Sequence, residues 1–414
     1  MDTHAAQVAH ILRRTSFGIR PRVVRSHSTN DIHDLIDERL ADEGWALDKD
    51  QAEERDLEDV EYDTLQREWL ERMLSPEAGL HERMVWYWHD HFTTSRHETS
   101  DREMWRQHHL VRRHALGNFR DLARGMLTDG AMLHYLDGAG SRGDAPNENL
   151  SREFLELFTA GRNAGYTEDD VRAGARILSG WWVDWDTGEV GFSSEDSYNR
   201  PVTFLGVRRR WTIDQYLDAV LALPSVAEHV ASRIHAHFVA IPLTETRRAE
   251  LGSVLRSNDW EIRPLMAEIL HGDDFLAAAG SRTRQPVEWL IGAAMAFDFD
   301  SLDELEFELW QLQAAGQSPF EPPNVAGWAE DDRWSSATQV MARANTLLNW
   351  EVPTHLIDSV EPTVDAVLEH TGLHDVSGET RQALNRAIDT QTEYDRGLEV
   401  LLVLTLLSPE FATI

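Results

Sequence analysis

Apolar residues recur with a period of about 3.6 residues along most of this 414-residue chain, and this pattern restricts the fold more than any other feature. Side chains three or four positions apart share one face of a helix, and an apolar face packs against a neighbouring element. The pattern therefore predicts an all-α protein, mainly a multi-helix bundle. The predicted helices are Asp31–Asp42, Glu58–Met73, Leu80–Phe92, Glu103–Leu116, Asn118–Thr128, Asn149–Ala160, Thr212–Leu223, Val226–Val239, Trp260–His271, Pro286–Phe297, Ser301–Ala314 and Ser335–Trp350, with a final apolar helix near Leu398–Leu407.

Helix-end signals support this prediction. Gly161 is placed to end the helix that precedes it, because glycine adopts the left-handed conformation common just after a helix. Thr167 and Asp170 have the spacing of a capping box, in which side chains bond the free amides of the first turn. We therefore expect a further helix to begin after Thr167 and to run through Ser179.

The next segment has the pattern of strands. Aromatic and β-branched residues in Trp181–Trp185 and Glu189–Phe192 flank a tight-turn sequence, which predicts at most a short β-hairpin near residues 181–192. A polar stretch follows, and the chain is longer than one hydrophobic core usually supports. We expect an N-terminal helical lobe at residues 1–200, which carries the polar motifs, and a C-terminal helical lobe at residues 201–414.

The composition is strongly acidic. There are 72 acidic and 39 basic residues, a formal net charge of −33, and Lys49 is the only lysine. Because the acids are spread along the chain, we interpret them as adaptation to a high-salt cytosol, where the screening length falls from about 10 Å to about 3 Å. The alternative is that the acidity serves a cationic partner. Such a field repels phosphate backbones, so we expect no nucleic-acid partner.

Several chemistries are excluded by residues that the chain lacks. Without cysteine there are no disulfides, thiolate nucleophiles or iron–sulfur ligands. Lys49 lies between two aspartates with no glycine-rich loop before it, so neither a nucleotide P-loop nor a pyridoxal-phosphate site is expected. No Ser nucleophile stands in a Gly-x-Ser-x-Gly elbow and no zinc-protease helix motif is present in the sequence, and no Gly-x-Gly-x-x-Gly fingerprint opens a βαβ unit.

Targeting signals are not evident either. Met1–Arg14 has neither an apolar core of signal-peptide length nor a twin-arginine leader ahead of one, although Arg13 and Arg14 are adjacent. No window approaches the roughly 18 consecutive apolar residues of a membrane helix. We therefore expect a cytoplasmic protein with no membrane partner.

A set of short segments occurs in an order that is similar to one known family. The segments are His10–Ile11–Leu12–Arg13–Arg14 with Phe17–Gly18, Trp88–His89–Asp90–His91–Phe92, His114–Ala115–Leu116–Gly117–Asn118–Phe119, Pro146–Asn147–Glu148–Asn149, Arg152–Glu153, Glu156–Leu157–Phe158, Gly165–Tyr166–Thr167–Glu168, Gly180–Trp181 and Pro322–Pro323–Asn324–Val325–Ala326–Gly327–Trp328. Across nearly the whole chain this set resembles the domain-of-unknown-function 1800 family. The resemblance implies a helical protein that forms one family domain, and it implies no established activity.

The resemblance also implies a partner. Relatives look exported and are often encoded beside a second secreted family that resembles sulfatases or phosphatases. A protein of that type is therefore the partner that the family predicts. This chain departs from those relatives because it shows no export signal at Met1–Arg14.

The first candidate site is a polar stripe on the predicted helix Asn149–Ala160. A helical wheel places Asn149, Glu153 and Glu156 on the face opposite its apolar residues, with Arg152 beside them. Carboxylates three positions apart can bind a divalent cation, or can act as acid and base when burial separates their pKa values. The alternative is a solvated acidic face or an ion-pair network with Arg172 and Arg176 on the next helix.

Histidines form the second candidate site. His89 and His91 are about 200° apart on a helix, so only one of them can face a given site. We favour His89, because Glu82 lies on the same helical stripe and could orient its ring. His114 and Asn118 could supply polar groups from a neighbouring helix. The alternative for each histidine is a core residue that bonds a carbonyl.

Loops supply the remaining candidates. Asn147 and Glu148 precede Asn149, where side chains can cap helix amides or an anion could bind the positive helix end. Asp137 could add a carboxylate, although an aspartate before glycine is ordinarily a turn residue. The loop Pro322–Trp328 has two prolines and an aromatic anchor, and we interpret it as a clamp between the lobes rather than a lid.

Two hypotheses of different classes follow. One is a helical protein that binds a ligand or a divalent metal ion in a polar site, plausibly with hydrolytic activity. Its catalytic candidates are Glu153, Glu156 and His89, and its metal candidates are these three with His91. The other is a noncatalytic scaffold or partner protein whose buried polar residues are structural. A divalent metal ion is the one cofactor that these residues suggest, and its presence is not determined by the sequence.

Overall fold

A computed structural model of the chain describes residues 3–20, 23, 27, 31–44, 61–75, 78–162, 164–305, 309–329, 332–391 and 394–414. This part of the chain is mainly helical and contains two small antiparallel β-hairpins, so the predicted fold class is confirmed. Lys49 and the first residues of the predicted helix Glu58–Met73 lie outside the described residues.

Helices account for most of the described structure before and after the hairpins. Before them lie α1 (Thr3–Thr15), α2 (Ile32–Leu40), α3 (Tyr62–Leu74), α4 (Leu80–His91), α5 (Asp101–His114), α6 (Phe119–Met126), α7 (Gly130–Tyr135), α8 (Asn149–Glu153), a π-helix (Phe154–Thr159) and α9 (Glu168–Ile177). After them lie α10 (Ile213–Leu221), α11 (Pro224–Phe238), α12 (Glu245–Ser257), α13 (Ile262–Leu270), α14 (Asp273–Ala277), α15 (Pro286–Ala296), α16 (Trp310–Ala314), α17 (Ala337–Leu347), α18 (Thr354–Ser359), α19 (Val364–His370), α20 (Gly378–Ile388), α21 (Tyr394–Leu406) and α22 (Pro409–Ala412). Short 3₁₀-helices lie at Leu302–Leu305 and Asp332–Ser335.

Capping residues explain where several of these helices begin. The predicted capping box of Thr167 and Asp170 is present at the start of α9, where each side chain accepts from the other residue's backbone N–H. Ser100 and Glu103 form the same arrangement at the start of α5. These pairs satisfy amides that the first helical turn leaves without partners, so the local sequence fixes both helix starts.

Two hairpins are present where the sequence predicted at most one. The predicted hairpin is observed as β1 (Trp181–Val183) paired with β2 (Val190–Phe192). The second hairpin pairs β3 (Val202–Phe204) with β4 (Val207–Arg209). Its turn residues, Leu205 and Gly206, have φ values of 46° and 77°. A hairpin turn with two positive φ values normally carries asparagine or aspartate before glycine. Because leucine stands at that position here, the sequence did not predict this turn.

Another departure concerns the predicted helix Ser301–Ala314. Within its described residues, a 3₁₀-helix at Leu302–Leu305 is followed by the short α16. Glu71 on α3 accepts hydrogen bonds from Ser301 Oγ (3.0 Å) and Leu302 N (2.9 Å). These bonds to a distant helix hold the start of the 3₁₀-helix in place. The periodicity of the apolar residues gives no information about such a contact.

The core is centred on α4, all of whose residues are buried. The Trp86 ring stacks on Trp328, and Trp88 packs against Phe92 and Phe119. Such aromatic pairs contribute more than burial of their area alone. None of the helices described is both long enough and apolar enough to cross a bilayer. Helix α4 ends at His91.

Candidate ligand-binding site at a π-helix

A π-helix breaks the predicted helix Asn149–Ala160. The α-helical turn ends at Glu153, and residues Phe154–Thr159 continue with π-helical hydrogen bonds. His91 Nε2 donates to Phe158 O (3.0 Å), and His229 Nε2 donates to Leu157 O (3.2 Å). Single-turn π-helices are often found at functional sites because they change the direction of the side chains around them. Here the π-helix follows directly after Glu153.

The two carboxylates of the predicted stripe lie at this junction. Glu153 is half-buried, and burial followed by the charge of Glu156 raises its pKa above the ordinary value. Among the described residues, no hydrogen bond or ion pair is made by the Glu153 side chain. Glu156 instead pairs with the exposed guanidinium of Arg162. The stripe thus holds two neighbouring carboxylates, of which only Glu156 has a cationic partner.

Two tyrosines are influenced by the same carboxylates. Burial raises the pKa of Tyr135, and the charges of Glu98 and Glu153 raise it further. Burial also raises the pKa of Tyr166, and Glu156 is the largest charged contributor. Tyr135 ends α7, and Glu98 lies between α4 and α5, so the sequence analysis did not connect them with the stripe. Only the packing of separate helices brings these residues together.

Helix α7 also carries a titratable group that the sequence analysis missed. His134 Nδ1 lies 2.9 Å from Glu103 Oε1. Asp129 caps α7, accepts from Gln107 Nε2 (2.6 Å) and has its pKa raised to about 7 by burial, with Glu103 adding to the increase. A carboxyl group that titrates near neutral pH in the interior is a recognised feature of functional sites. The sequence shows only an aspartate in a capping position, and it does not indicate that burial raises the pKa of this residue.

The arginines near the stripe bind other carboxylates than Glu153. Arg152 makes two hydrogen bonds of 2.8 Å to Glu168 and one of 3.0 Å to Glu148, which raises the pKa of its guanidinium. Arg172 lies 2.8 Å from Asp169 and 3.8 Å from Glu148. These groups are largely exposed and contribute little stability. An ion-pair network therefore exists as the alternative predicted, but it is centred on Glu148.

The alternative of an ion-pair network between the stripe and Arg172 and Arg176 does not extend to Glu153 among the described residues. Arg176 places its guanidinium over the Tyr198 ring, at 5.6 Å from the ring centroid. Arg172 pairs instead with Asp169, three positions earlier on α9, and lies near Glu148, which precedes α8. Among the described residues, Glu153 is left without an arginine partner.

The loop before α8 is held by hydrogen bonds of its own. Asn147 Oδ1 accepts from Asn149 N (2.8 Å), whereas Glu148, the N-cap residue of α8, makes no capping bond with its side chain. Asn149 Nδ2 donates to Asp137 Oδ2 (2.8 Å), and Asp137 has a φ of 53°, as expected of a turn aspartate. Ser141 Oγ accepts from Asn147 N (3.0 Å). These contacts position α8, and they occupy the groups that were candidates for binding a ligand.

His89 and His91 occupy separate environments in the core. His89 Nε2 accepts from Phe320 N (3.0 Å), and burial lowers its pKa to about 3. His91 bonds the π-helix as described above, so the prediction that the two differ is confirmed. The expectation that Glu82 orients His89 was wrong, because Glu82 accepts from Trp69 Nε1 (2.6 Å) and pairs with Arg112. Arg112 is 30 residues away in sequence, which the stripe on α4 could not reveal.

His114 and Asn118 contact residues other than the carboxylate pair. Asn118 caps α6 and donates to Asp259 O (2.7 Å) and Glu261 Oε1 (2.9 Å). His114 is partly buried, and burial lowers its pKa, while Asp121 acts in the opposite direction. No contact described for either residue reaches Glu153 or Glu156.

The four metal candidates do not converge on one point. Over the described ranges of the chain, no group of three or more histidine and carboxylate side chains is arranged to hold a metal ion. His89 and His91 are engaged by Phe320 and Phe158, so they do not join the glutamates. The structure brings together Glu153 and Glu156, and a metal ion bound there would have to take its other ligands from elsewhere.

Comparison with known proteins identifies the family. The family described as "Protein of unknown function (DUF1800)" matches residues 10–413, which is nearly the whole chain. The chain belongs to the DUF1800 family. Neither the curated proteins nor the solved structures give a match. Membership of DUF1800 accounts for the ordered segments and leaves function to be argued from the site.

Two DUF1800 segments that are far apart in sequence clamp together. Asp90 Oδ1 accepts from Trp328 N (2.8 Å), and the Trp328 ring lies 5.7 Å from that of Trp86. Gly327 has a φ of 78°, and a Cβ there would overlap Asp90. These contacts hold the Pro322–Trp328 loop against α4, and its role as a clamp between lobes stays a prediction.

The first DUF1800 segment is also structural. His10 Nε2 donates to Phe275 O (2.7 Å). Arg14 Nη2 donates to Ala278 O (2.9 Å) and Ile414 O (2.7 Å). These bonds tie α1 to α14 and to the end of the described chain. The DUF1800 segments therefore include both the carboxylate pair and a set of buried contacts that hold the fold together.

Proposed function

We propose that this chain is a ligand-binding helical protein whose site is the carboxylate pair of Glu153 and Glu156, with a divalent cation as the ligand. The observation that carries the proposal is Glu153, which is half-buried beside a second carboxylate and has no partner among the described residues. Withdrawing a carboxylate from water without a partner is costly. A bound cation would remove that cost and would also relieve the repulsion by Glu156.

A magnesium-like ion suits a site with two protein carboxylates. Magnesium usually keeps several waters and binds proteins through one or two carboxylates, often with oxygens from a substrate phosphate. A site with fewer than three protein ligands is therefore compatible with this ion. Calcium takes more protein oxygens and calls for a larger ligand set. The proposal accordingly concerns a hydrated ion that a second ligand can approach.

Hydrolysis is the reaction that this arrangement supports best. Glu153 would hold the ion through its carboxylate, and a water on the ion would supply the nucleophile. Glu156, beside Arg162, can act as the metal ligand or the base. Tyr135 and Tyr166 are near enough to share the field of the carboxylates. Their hydroxyl groups would then orient an oxygen-rich substrate.

The second candidate is a noncatalytic scaffold. The specific observation in its favour is that Asn147, Asn149 and Arg152 are satisfied by contacts within the protein. Buried histidines and carboxylates that bond one another also give a core a unique arrangement. On this hypothesis Glu153 binds no ligand and its unpaired carboxylate has no function. The protein then functions by binding a partner at its surface.

The wider context is part of the proposal. A net charge of −33 supports a high-salt cytosol as the working environment and argues against nucleic acid as a partner. The resemblance to exported relatives predicts a partner of the sulfatase or phosphatase type. The division into lobes at residues 1–200 and 201–414 also remains a prediction.

Direct measurement of cation binding tests the function. Mg²⁺ and Mn²⁺ are titrated calorimetrically into the protein, purified in molar KCl without chelator, at constant ionic strength. We expect one site in the wild type, and at least a tenfold weaker association constant in Glu153→Gln and Glu156→Gln. Glu369→Gln is the matched control, because Glu369 is an exposed helical glutamate and its charge loss is the same.

Three results are distinguishable. Loss of binding in both site variants with retention in Glu369→Gln supports the cation site. Binding that is equal in all four proteins assigns the ions to the diffuse acidic surface and contradicts the proposal. No binding in the wild type, with unchanged melting temperatures in the variants, favours the scaffold.

A further inference from the structure

A group of arginines is buried in the core, away from the carboxylate pair. The exposed fractions of Arg14, Arg282 and Arg284 are 1%, 3% and 2%. Arg14 belongs to α1, and the other two precede α15. Arg14 Nη2 and the backbone N of Arg282 both donate to Ile414 O (2.7 and 3.2 Å), which brings the two residues together.

Glu288 on α15 supplies the negative charge in this group. Its Oε1 atom lies 2.5 Å from Arg282 Nη2 and also contacts Arg83 Nη2. A Cβ added to Gly292, one helical turn later, would overlap Arg284 Nη1, so that guanidinium lies against the same helix. Two guanidinium groups thus contact the Glu288 carboxylate, and its charge also acts on those of Arg14 and Arg284, so positive charge is in excess among these described residues.

Many N–H groups in the cluster have no acceptor. Nε and Nη1 of Arg14, Arg282 and Arg284 are buried and make no hydrogen bond with the described residues. The Arg284 guanidinium packs instead over the Phe411 ring, 4.1 Å from the centroid. Guanidinium groups present donors in a fixed fork that suits anions. Donors of three buried arginines, each within the field of Glu288 or in contact with it, are thus available in the interior.

Buried positive charge of this kind requires compensation. Burial lowers the pKa of Arg14 well below its usual range, and the charges of Arg282 and Arg83 lower it further. Burial and several neighbouring arginines, including Arg13 and Arg343, do the same for Arg284. Guanidinium groups remain protonated in proteins, so the molecule must supply a counter-charge rather than lose these protons. Glu288 is shared between Arg83 and Arg282 and cannot also satisfy Arg14 and Arg284.

We propose that Arg14, Arg282 and Arg284 bind a small inorganic anion in the core beside Glu288. The anion supplies both the missing hydrogen-bond acceptors and the missing negative charge. Because these arginines come from α1 and from the segment before α15, and bond the chain near Ile414, the anion joins distant parts of the chain. Its role is structural and does not depend on the carboxylate pair.

Bromide identifies the site directly in the unmodified protein. Crystals of the wild type grown from KBr are measured at the bromine absorption edge. We expect an anomalous peak within hydrogen-bond distance of at least two of the three guanidinium groups. A tetrahedral density there in crystals grown with sulfate would identify an oxyanion site instead, and would support the same chemistry. Density for water alone under both conditions would overturn the proposal.

A solution measurement accompanies the crystals. Melting temperatures are recorded in KCl and in potassium gluconate at equal ionic strength, because gluconate is too large for a buried site. We expect the wild type to melt at least 5 °C higher in chloride. Arg284→Met keeps an apolar stem beside Phe411 and should lose most of this difference, whereas Arg208→Met, at an exposed position on β4, should retain it.

The folding of the variant does not limit the test. If Arg284→Met does not fold, Arg284→Lys keeps the charge and loses the planar fork, and it should show a reduced chloride dependence. Equal melting temperatures of the wild type in chloride and gluconate would contradict the proposal. A chloride effect that is the same in the wild type, Arg284→Lys and Arg208→Met would assign it to the protein surface and would likewise contradict it.

Discussion

Glu153 and Glu288 are the same residue type in opposite electrostatic environments. Glu288 is completely buried, which alone would raise its pKa, yet Arg282 and Arg83 hold that pKa well below the ordinary value. Glu153 is only half-buried, yet its pKa is raised, first by burial and then by the charge of the neighbouring Glu156, because no arginine pairs with it among the described residues. The arginine partner, rather than the depth of burial, therefore decides the direction of the shift.

Asp129 supports this conclusion from a third environment. It is buried like Glu288, but its hydrogen-bond donors are the neutral Gln107 side chain and a backbone amide, and its pKa is raised to about 7. Neutral donors only partly offset the loss of solvation. Carboxylates without arginine partners are the groups that a cation can still stabilise, which is why Glu153 is the residue on which the proposed function rests.

The largest predicted effect is the loss of folding in low salt. It extends the comparison of paired and unpaired carboxylates from Glu153 and Glu288 to the whole chain. With 72 acidic and 39 basic residues, many carboxylates have no cationic partner and repel one another. We expect dilution from molar KCl into low-salt buffer to unfold the protein, as followed by circular dichroism. An unchanged spectrum and melting temperature in dilute buffer would show that screening by salt is not needed.

The next effect concerns the paired glutamate. Glu288→Gln leaves two buried arginines without their carboxylate, and we expect a loss of about 3–5 kcal/mol in the free energy of unfolding. Urea unfolding in molar KCl measures it, and Glu369→Gln, at an exposed helical position, should stay within about 0.5 kcal/mol of the wild type. A cost for Glu288→Gln no greater than that control would contradict the role of the arginines.

The pH dependence of this loss follows from the sign of the shift. The lowered pKa of Glu288 means that its stabilisation is present above the unfolded value of about 4.3 and disappears as the pH falls toward the folded value. Glu288→Gln should therefore differ most from the wild type near neutral pH. The two proteins should approach each other in stability in acid.

Asp129 should behave in the opposite way. Its folded pKa of about 7 lies above the ordinary value of 3.8, so protonation stabilises the fold, and this stability is lost as the pH rises through 7. Asp129→Asn keeps the capping oxygen and removes the charge, so we expect it to stabilise the protein by about 1–4 kcal/mol at pH 8. Near pH 4 the difference should vanish. A stability difference that does not vary with pH would refute the assignment.

Much of the fold could be predicted from the sequence because its signals are local. Apolar periodicity and the Thr167 capping box depend on residues that are a few positions apart. Each of these two signals correctly predicted helices that the structure contains. The hairpin of β3 and β4 escaped prediction because Leu205 adopts a conformation that leucine rarely takes. The π-helix after Glu153 escaped because its bonds with His91 and His229 come from other helices.

The part of the candidate site that depends on neighbouring residues in the sequence was predicted, and the part that depends on tertiary packing was not. Glu153 and Glu156 are three positions apart, so their proximity was evident, whereas Tyr135 and Glu98 reach them only through packing. Pairing of arginines was the least predictable feature. Glu82 binds Arg112 rather than orienting a histidine, and such partners are chosen by the tertiary fold.

The central claim, that Glu153 belongs to a cation site, is tested most directly by titrating its carboxyl group. The ¹³C carboxyl resonance of Glu153, assigned by its loss in Glu153→Gln, is followed against pH in molar KCl, with and without Mg²⁺. Without Mg²⁺ we expect a pKa above the ordinary value of 4.5, because burial and Glu156 disfavour the charge. With Mg²⁺ the pKa should fall, because the ion binds the carboxylate form. An ordinary pKa that Mg²⁺ leaves unchanged would contradict the account.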